Sequence, residues 1–173
     1  NLKRNTEFPV SVKMRISDNI ENSIQFAQAV ISAGANALTI HGRTVDQKKK
    51  GDVDYGRMKA VFDKVDVVKI GNGGVKNLEE AERMRKLTGC TGVMMASAAL
   101  INPSVFSPDP VTSIIAASTV ARHARRFGVE FRDTKWVLAQ QIQGSKEARE
   151  VLGSSISSAQ TWDEFDSAIT RVL

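Results

Sequence analysis

The sequence lacks most features that mark secreted and membrane proteins. Its single cysteine, Cys90, cannot form an internal disulfide, which favours a reducing compartment. No run of about 18 apolar residues is present, so no transmembrane helix is expected. The first five residues have neither the apolar stretch of a secretory signal nor an initiator methionine. We therefore expect a cytoplasmic protein whose chain begins partway through a longer sequence.

The composition is that of a soluble globular protein. The 173 residues are 42% hydrophobic and 25% charged, and the formal net charge is +5. The whole excess of positive charge lies in residues 1–103, whereas residues 104–173 are balanced. A polyanionic partner would thus be drawn to the first part of the chain.

Residues 9–100 alternate between patterns typical of strands and patterns typical of helices. Capping boxes at Asp18 with Glu21 and at Asn77 with Glu80 predict helix starts. This alternation indicates parallel pairing, in either half of a TIM barrel or an open doubly wound sheet. The predicted strands cover residues 9–16, 37–41, 67–71 and 92–96.

The pattern changes after Pro110, where helical periodicity continues without an intervening strand. Thr161 with Glu164 predicts a cap for the last helix, and Trp136 and Trp162 are predicted to anchor the helical core. The sequence thus predicts a partial barrel over residues 1–106 and an all-α domain over residues 107–173. The predicted helices cover residues 114–126, 133–143, 146–152 and 162–172.

A half barrel would expose two strand edges and the apolar faces of its strands. Either two copies of the chain assemble, or the first half of the barrel is missing. We favour a missing first half, which makes the predicted strands the fifth to eighth of a (β/α)₈ barrel.

Small residues follow two of these strands at the end where barrel ligands bind. Gly73 and Gly74 favour a turn whose N–H groups approach an anion, and Ala96 and Ser97 repeat the arrangement. TIM barrels often bind phosphate after their last two strands. The alternative is that Gly73 and Gly74 make only a tight turn.

Polar residues also end the first two predicted strands. The period of two places Lys13 and Arg15 on one side of their strand, and His41 ends the next strand. These side chains could serve a ligand such as the electron-rich edge of a reduced flavin. The alternatives are solvent-facing cations and a structural histidine.

Taken together, these motifs resemble the tRNA-dihydrouridine synthases. The helical segment Asp133–Trp136 is similar to the eukaryotic subfamily that acts on position 20 of tRNA. The motifs that follow the family's order and spacing are Val12–Arg15, Ile40–Thr44, Ile70–Gly74, and Val93–Ala96 continuing to Asn102–Pro103.

The resemblance implies that NADPH reduces FMN, after which hydride passes to C6 of a tRNA uridine and an acid protonates C5. It also implies a monomer at full length. Lys13 and His41 would contact the isoalloxazine. The ribityl phosphate would be held by Asn72, Gly73, Gly74, Ala96 and Ser97. Substrate tRNA would meet Arg15 and Arg43 at the opening, and Arg122, Arg125 and Arg126 on one helix face; a solvated face is the alternative for these last three.

The sequence departs from the family at two places. No Asn-x-Gly-Cys-Pro segment supplies the proton donor. Cys90 lies at the end of its strand–helix unit that is opposite the ligand-binding end, so it is expected to be structural. Ser97 stands where the family usually has arginine, which removes a charge-assisted contact worth about 1.5–3 kcal/mol. This chain alone is thus expected to be inactive. Alternatives are another FMN barrel, of the dihydroorotate or dihydropyrimidine dehydrogenase type, and a tRNA-binding paralogue without redox chemistry.

Overall fold

A computed structural model describes residues 7–48 and 50–171 of the chain. Within those ranges the chain forms four strands, eight α-helices and a short 3₁₀ helix. It divides into two compact units, Asn1–Met95 and Ala96–Leu173. No helix in the described part of the chain is long and apolar enough to cross a membrane. The expectations about residues 1–5 fall outside the described residues.

The first unit is an α/β sheet, and the predicted parallel pairing is confirmed. Its strands lie in the order β1-β2-β3-β4, and each neighbouring pair is parallel. The elements are β1 (Ser11–Arg15), α1 (Ile20–Ser32), β2 (Ala37–His41), α2 (Tyr55–Phe62), β3 (Val68–Asn72), α3 (Leu78–Thr88) and β4 (Gly92–Met94).

Helix starts in this unit follow the predicted capping chemistry, with one shift. The side chain of Asn77 accepts from the Glu80 N–H at 2.8 Å, which confirms the predicted start of α3. The predicted cap of α1 at Asp18 is wrong by one residue, because Asn19 accepts from the Glu21 N–H at 2.9 Å. Asparagine and aspartate cap equally well, so the sequence did not separate the two.

The core of the first unit lies on one face of the sheet. Leu38 and Ile40 of β2 are fully buried against apolar residues of the helices, including Met58 of α2. On the opposite face Val68 and Met94 are exposed by 52% and 39%. The helices α1, α2 and α3 therefore cover one face. On the other face the helices leave Val68 and Met94 accessible, whereas Thr39, His41 and Asn72 are buried.

The second unit is helical. Its core is formed by apolar side chains of α5 to α8, among them Leu138, Ile142 and Ile156. The helices α5 to α8 confirm the predicted all-α pattern. The elements are α4 (Ser97–Ile101), the 3₁₀ helix (Pro103–Phe106), α5 (Ser113–Arg126), α6 (Phe131–Gly144), α7 (Lys146–Ser158) and α8 (Trp162–Thr170).

Two boundaries in this unit differ from expectation. Helix α7 continues beyond the predicted end at Leu152, because Gly153 and Ile156 are buried in the helical core. Tertiary packing here outweighs the low helix propensity of the glycine and serines that follow. The compact unit begins at Ala96, earlier in the chain than the predicted helical domain, and the division of domains after residue 106 stays a prediction. Ile101 of α4 packs against Gly144 of α6.

The two tryptophans have different environments. Trp162 packs edge-on against Phe131, with ring centroids 5.1 Å apart, which confirms its predicted core position. The same prediction for Trp136 is wrong, since this side chain is 60% exposed. The buried positions of α6 include Phe131, Thr134 and Leu138, which lie on one face of the helix. Trp136 does not lie on that face.

Gly71 gives a test of the packing between the sheet and α3. A Cβ at Gly71 would lie 2.5 Å from Met84 Sδ and 3.1 Å from Cys90 Sγ, both buried in the core. We expect Gly71→Ala to lower the free energy of unfolding by about 1–3 kcal/mol through overpacking. Gly92→Ala is the matched control, because a Cβ there meets nothing within 4 Å. Urea unfolding of both variants measures the difference, and equal effects would contradict the packing described.

The burial of Cys90 agrees with its expected structural role.

Candidate functional site

The register of the sheet brings polar side chains from three strands into one row. Arg15 of β1 pairs with His41 of β2, and His41 pairs with Asn72 of β3. These residues end their strands, and the row continues to Met94 at the end of β4. Paired residues in register point to the same face, and here it is the face that the helices leave accessible. The sheet thus presents a polar rim at its carboxyl end.

Lys13 lies one step back from this rim on the same face. It pairs with Thr39 of β2, which in turn pairs with Ile70 of β3. The Lys13 side chain is exposed and Thr39 is buried. The expectation that Lys13 and Arg15 share one side of their strand is confirmed by this register.

His41 is buried at the centre of the rim, and Gly73 packs directly on its ring. A Cβ at Gly73 would lie 2.7 Å from His41 Nε2 and closer still to Cδ2, and the backbone there has a φ of +115°. Both the contact and the backbone conformation require glycine. Burial, followed by the nearby charges of Arg15, Lys13 and Arg43, lowers the His41 pKa from 6.5 to about 4. The imidazole is therefore neutral near pH 7 and has one donor and one acceptor nitrogen.

Asn72 joins the ends of the third and fourth strands. Its Nδ2 donates to the Met94 carbonyl at 2.8 Å, and the residue is buried. The side-chain amide is thus engaged within the sheet, and the phosphate contact expected of Asn72 stays a prediction. Gly74 follows the Gly73 turn with a φ of +73°, again in the region that favours glycine.

The start of α3 is unfavourable for an anion. Its first turn carries Glu79 and Glu80, and the Glu80 carboxylate already accepts from the Lys76 N–H at 2.7 Å. Two carboxylates at a helix N-terminus oppose the binding of another anion there. An anion at this rim would therefore be served by the Gly73–Gly74 turn and by the surrounding cations.

The loop after β2 is held in place by two arginines. Arg15 Nη1 donates to the carbonyls of Thr44 at 2.9 Å and Lys48 at 3.0 Å. Arg43 Nε donates to the Gly51 carbonyl at 2.8 Å. Arg15 therefore positions the loop, and its predicted contact with tRNA stays a prediction.

Sequence reasoning missed Thr44 and Gln47, which stabilise this loop from within. The Thr44 N–H donates to Gln47 Oε1 at 2.8 Å, and the Gln47 N–H donates to Thr44 Oγ1 at 3.4 Å. The Thr-x-x-Gln spacing is that of a capping box, so the signal was present in the sequence. A turn and not a helix follows it, so the spacing did not predict a helix start here.

Ala96 and Ser97 begin the second unit directly after the sheet ends. Ala96 precedes α4 and provides no side-chain cap, and both residues are exposed. Asn102 nearby has a structural role: its side chain accepts from the Ser104 N–H at 3.0 Å and donates to the Val111 carbonyl at 2.6 Å. The cofactor contact expected of Ala96 and Ser97 stays a prediction.

The three arginines expected on one face of α5 are exposed but are not equivalent. The Arg125 guanidinium pairs with Asp166 and lies 5.5 Å from the centre of the Trp162 ring. Arg126 lies 6.0 Å from the centre of the Phe127 ring, at the end of the helix. Arg125 is thus tied to α8 within the helical unit, which leaves Arg122 and Arg126 as the better candidates for contact with a partner.

The chain is an α/β protein with a parallel sheet, and in proteins of this class ligands bind at the carboxyl ends of the strands, where the polar rim lies. Comparison with known families then gives the particular family. The family model described as dihydrouridine synthase (Dus) matches residues 1–167. The chain belongs to the dihydrouridine synthase family, as its motifs indicated.

Individual relatives agree with this assignment. An uncharacterised tRNA-dihydrouridine synthase-like protein of Caenorhabditis elegans is 33% identical over 78% of this chain and 45% of its own length. A human tRNA-dihydrouridine(20a/20b) synthase-like protein is 34% identical over 58% of this chain and 31% of its own. The yeast tRNA-dihydrouridine(16/17) synthase is 36% identical over 61% of this chain and 26% of its own. The chain thus spans less than half the length of these relatives. Their names refer to different tRNA positions, so the resemblance to the position-20 subfamily stays a prediction.

His41 gives a test of the rim's electrostatics. Its pKa is lower in the folded chain than the usual 6.5, so the unfolded chain binds a proton more readily between about pH 4 and 6.5. We expect the free energy of unfolding to fall as the pH drops through this range, and to fall less in His41→Gln. Urea unfolding at several pH values measures this, and His123, the other histidine and an exposed one, provides the control as His123→Gln. Identical pH profiles for wild type and His41→Gln would contradict the assignment.

Proposed function

We propose that this chain forms the flavin-binding half-site and the helical module of a tRNA-dihydrouridine synthase. The reaction is the FMN- and NADPH-dependent reduction of uridine to 5,6-dihydrouridine in tRNA. The observation that carries the proposal is the row of Arg15, His41 and Asn72 on the sheet face opposite the helices, with Lys13 one step behind. Family membership supports the same chemistry.

In this proposal the sheet is the C-terminal half, strands five to eight, of a TIM barrel. Helices cover one face of the sheet, and within the described residues β1 and β4 each pair on one side only. An accessible face that carries Val68, Ile70 and Met94 beside polar residues has the mixed character of a barrel interior. The remaining strands would cover this face and pair with both edges.

The rim residues fit a planar, negatively charged cofactor. The Lys13 ammonium would offset negative charge on the isoalloxazine, and neutral His41 would orient the ring through a hydrogen bond. The N–H groups at the Gly73–Gly74 turn would meet the phosphate. FMN, when bound, supplies the transfer of hydride from NADPH to the uridine ring. The role of the chain's own residues is to bind and orient the reactants.

The one cysteine of the chain is not placed to supply the proton for C5. Cys90 is buried beside Met84 in the core, away from the accessible face. A buried structural thiol cannot reach a substrate at the strand ends. We therefore propose that the proton donor lies on the other half of the barrel and that this chain alone is inactive.

Binding of tRNA is assigned to the helical module and to the positive rim. Arg122 and Arg126 are exposed on α5 and offer phosphate contacts, whereas Arg125 is engaged with Asp166. The net positive charge of the chain favours association with a polyanion. A monomeric, cytoplasmic protein is part of the proposal.

A tRNA-binding paralogue without redox chemistry is the second candidate. Ser97, exposed at the start of α4, favours it, because a serine cannot replace the guanidinium that the family usually places there. The other FMN barrels considered, of the dehydrogenase type, are disfavoured by membership of the dihydrouridine synthase family.

The intact protein that contains this chain allows a direct test. We expect the purified protein to show flavin absorption bands, to oxidise NADPH and to form dihydrouridine in unmodified tRNA. Lys13→Met should slow flavin reduction at least 10-fold, because one charged contact with the reduced ring is worth about 1.5–3 kcal/mol. Lys59→Met, at an exposed ion pair on α2, is the control. A colourless protein that still binds tRNA would favour the paralogue, and one that does neither would refute both.

The arginines of α5 give a test of the tRNA surface. We expect the double variant Arg122→Gln with Arg126→Gln to weaken tRNA binding and to lower the slope of log affinity against log salt by about 1–2, since each arginine removed leaves one phosphate without its counter-charge. Binding curves at several salt concentrations measure this. Arg149→Gln with Arg132→Gln, two exposed arginines on the other helices, are the matched control. An unchanged slope in the α5 variant would remove this helix from the interface.

A further inference from the structure

Arg43 lies over the glycine turn of the rim. Its Nη2 is 3.4 Å from the point where a Cβ at Gly74 would stand. The side chain is half-buried, and its Nε donates to the Gly51 carbonyl across the loop. The hydrogen bond thereby holds the guanidinium beside the turn, where Val53 Cγ2 also lies, 3.1 Å from the same point.

We propose that Arg43 binds the phosphate of the cofactor at the Gly73–Gly74 turn and does not serve tRNA. This inference rests on the proposed function and changes the role expected of Arg43 from the sequence. A guanidinium next to backbone N–H groups at positive φ forms the donor set that phosphate favours. Glycine at position 74 keeps the approach open, since a side chain there would come between the guanidinium and the turn.

The other cations of the rim are placed less well for this contact. Arg15 donates to the carbonyls of Thr44 and Lys48, so its guanidinium is engaged with the loop. Lys13 lies on β1, two strands away from β3, whose end leads into the turn. The start of α3 carries carboxylates. Within the described part of the first unit, Arg43 is the cation that the geometry brings to the glycines.

The charge around His41 supports the same assignment. After burial, which is the largest cause, Arg15, Lys13 and Arg43 each disfavour protonation of the imidazole, so positive charges surround His41. A dianionic phosphate next to Arg43 would offset part of this charge. A bound ligand that carries this phosphate should therefore leave the His41 pKa higher than the same ligand without it.

The experiment compares FMN with riboflavin, which lacks the phosphate. Dissociation constants are measured by flavin fluorescence on the intact protein stripped of cofactor. We expect Arg43→Met to weaken FMN binding roughly 10- to 100-fold, the effect of one charge-assisted contact, and to leave riboflavin binding unchanged. Arg43→Lys should retain part of the preference for FMN. The control is Arg85→Met, at an exposed ion pair in the last turn of α3 and so near the opposite end of the sheet.

The outcomes separate this inference from the proposed function. If Arg43→Met keeps the full preference for FMN and instead weakens tRNA binding, Arg43 serves tRNA and the inference is wrong while the function stands. Equal losses for FMN and riboflavin would assign Arg43 to the fold of the loop, which also overturns it. A wild-type protein that binds neither flavin would overturn the proposed function itself. In the wild type, the His41 pKa measured by NMR should be higher with FMN bound than with riboflavin bound, and equal values would contradict a phosphate at this rim.

Discussion

The parallel register of the sheet is the constraint from which the rest of the site follows. It aligns Arg15, His41 and Asn72 although they are far apart in the sequence. Strand periodicity then assigns the row to the face that the helices leave accessible, while Leu38 and Ile40 fill the core on the other side. A shift of one residue in any strand would exchange polar rim for apolar core, so core burial fixes the site as firmly as it fixes the fold.

The rim combines concentrated positive charge with a neutral imidazole. Burial, together with Arg15, Lys13 and Arg43, holds the pKa of His41 at about 4, so at neutral pH the ring can still accept a hydrogen bond. Two of these cations are also structural, because Arg15 and Arg43 donate to carbonyls of the loop after β2. Loop geometry and electrostatics are therefore coupled through the same side chains.

Glycine at the turn has a local cause that is independent of any ligand. The His41 ring occupies the space where a Cβ at Gly73 would stand, and both turn glycines have positive φ. A Gly-Gly pair after a strand is therefore weaker evidence for phosphate than the sequence suggested. The stronger evidence is the guanidinium of Arg43 above Gly74. In the helical unit, similarly, the three arginines of α5 are not equivalent, because Arg125 is paired with Asp166.

The sequence by itself determined the order of strands and helices, the parallel pairing and most helix starts, because periodicity and capping are local. It also placed Lys13, His41 and the glycine turn near the carboxyl ends of their strands, since strand patterns and the residues that follow them are visible in the sequence. Only the tertiary structure decided which neighbours these residues have: that Arg15 bonds a loop, that Arg43 lies over Gly74, and that Trp136 is exposed. Such contacts join segments distant along the chain, and their geometry depends on packing that no short window of sequence contains.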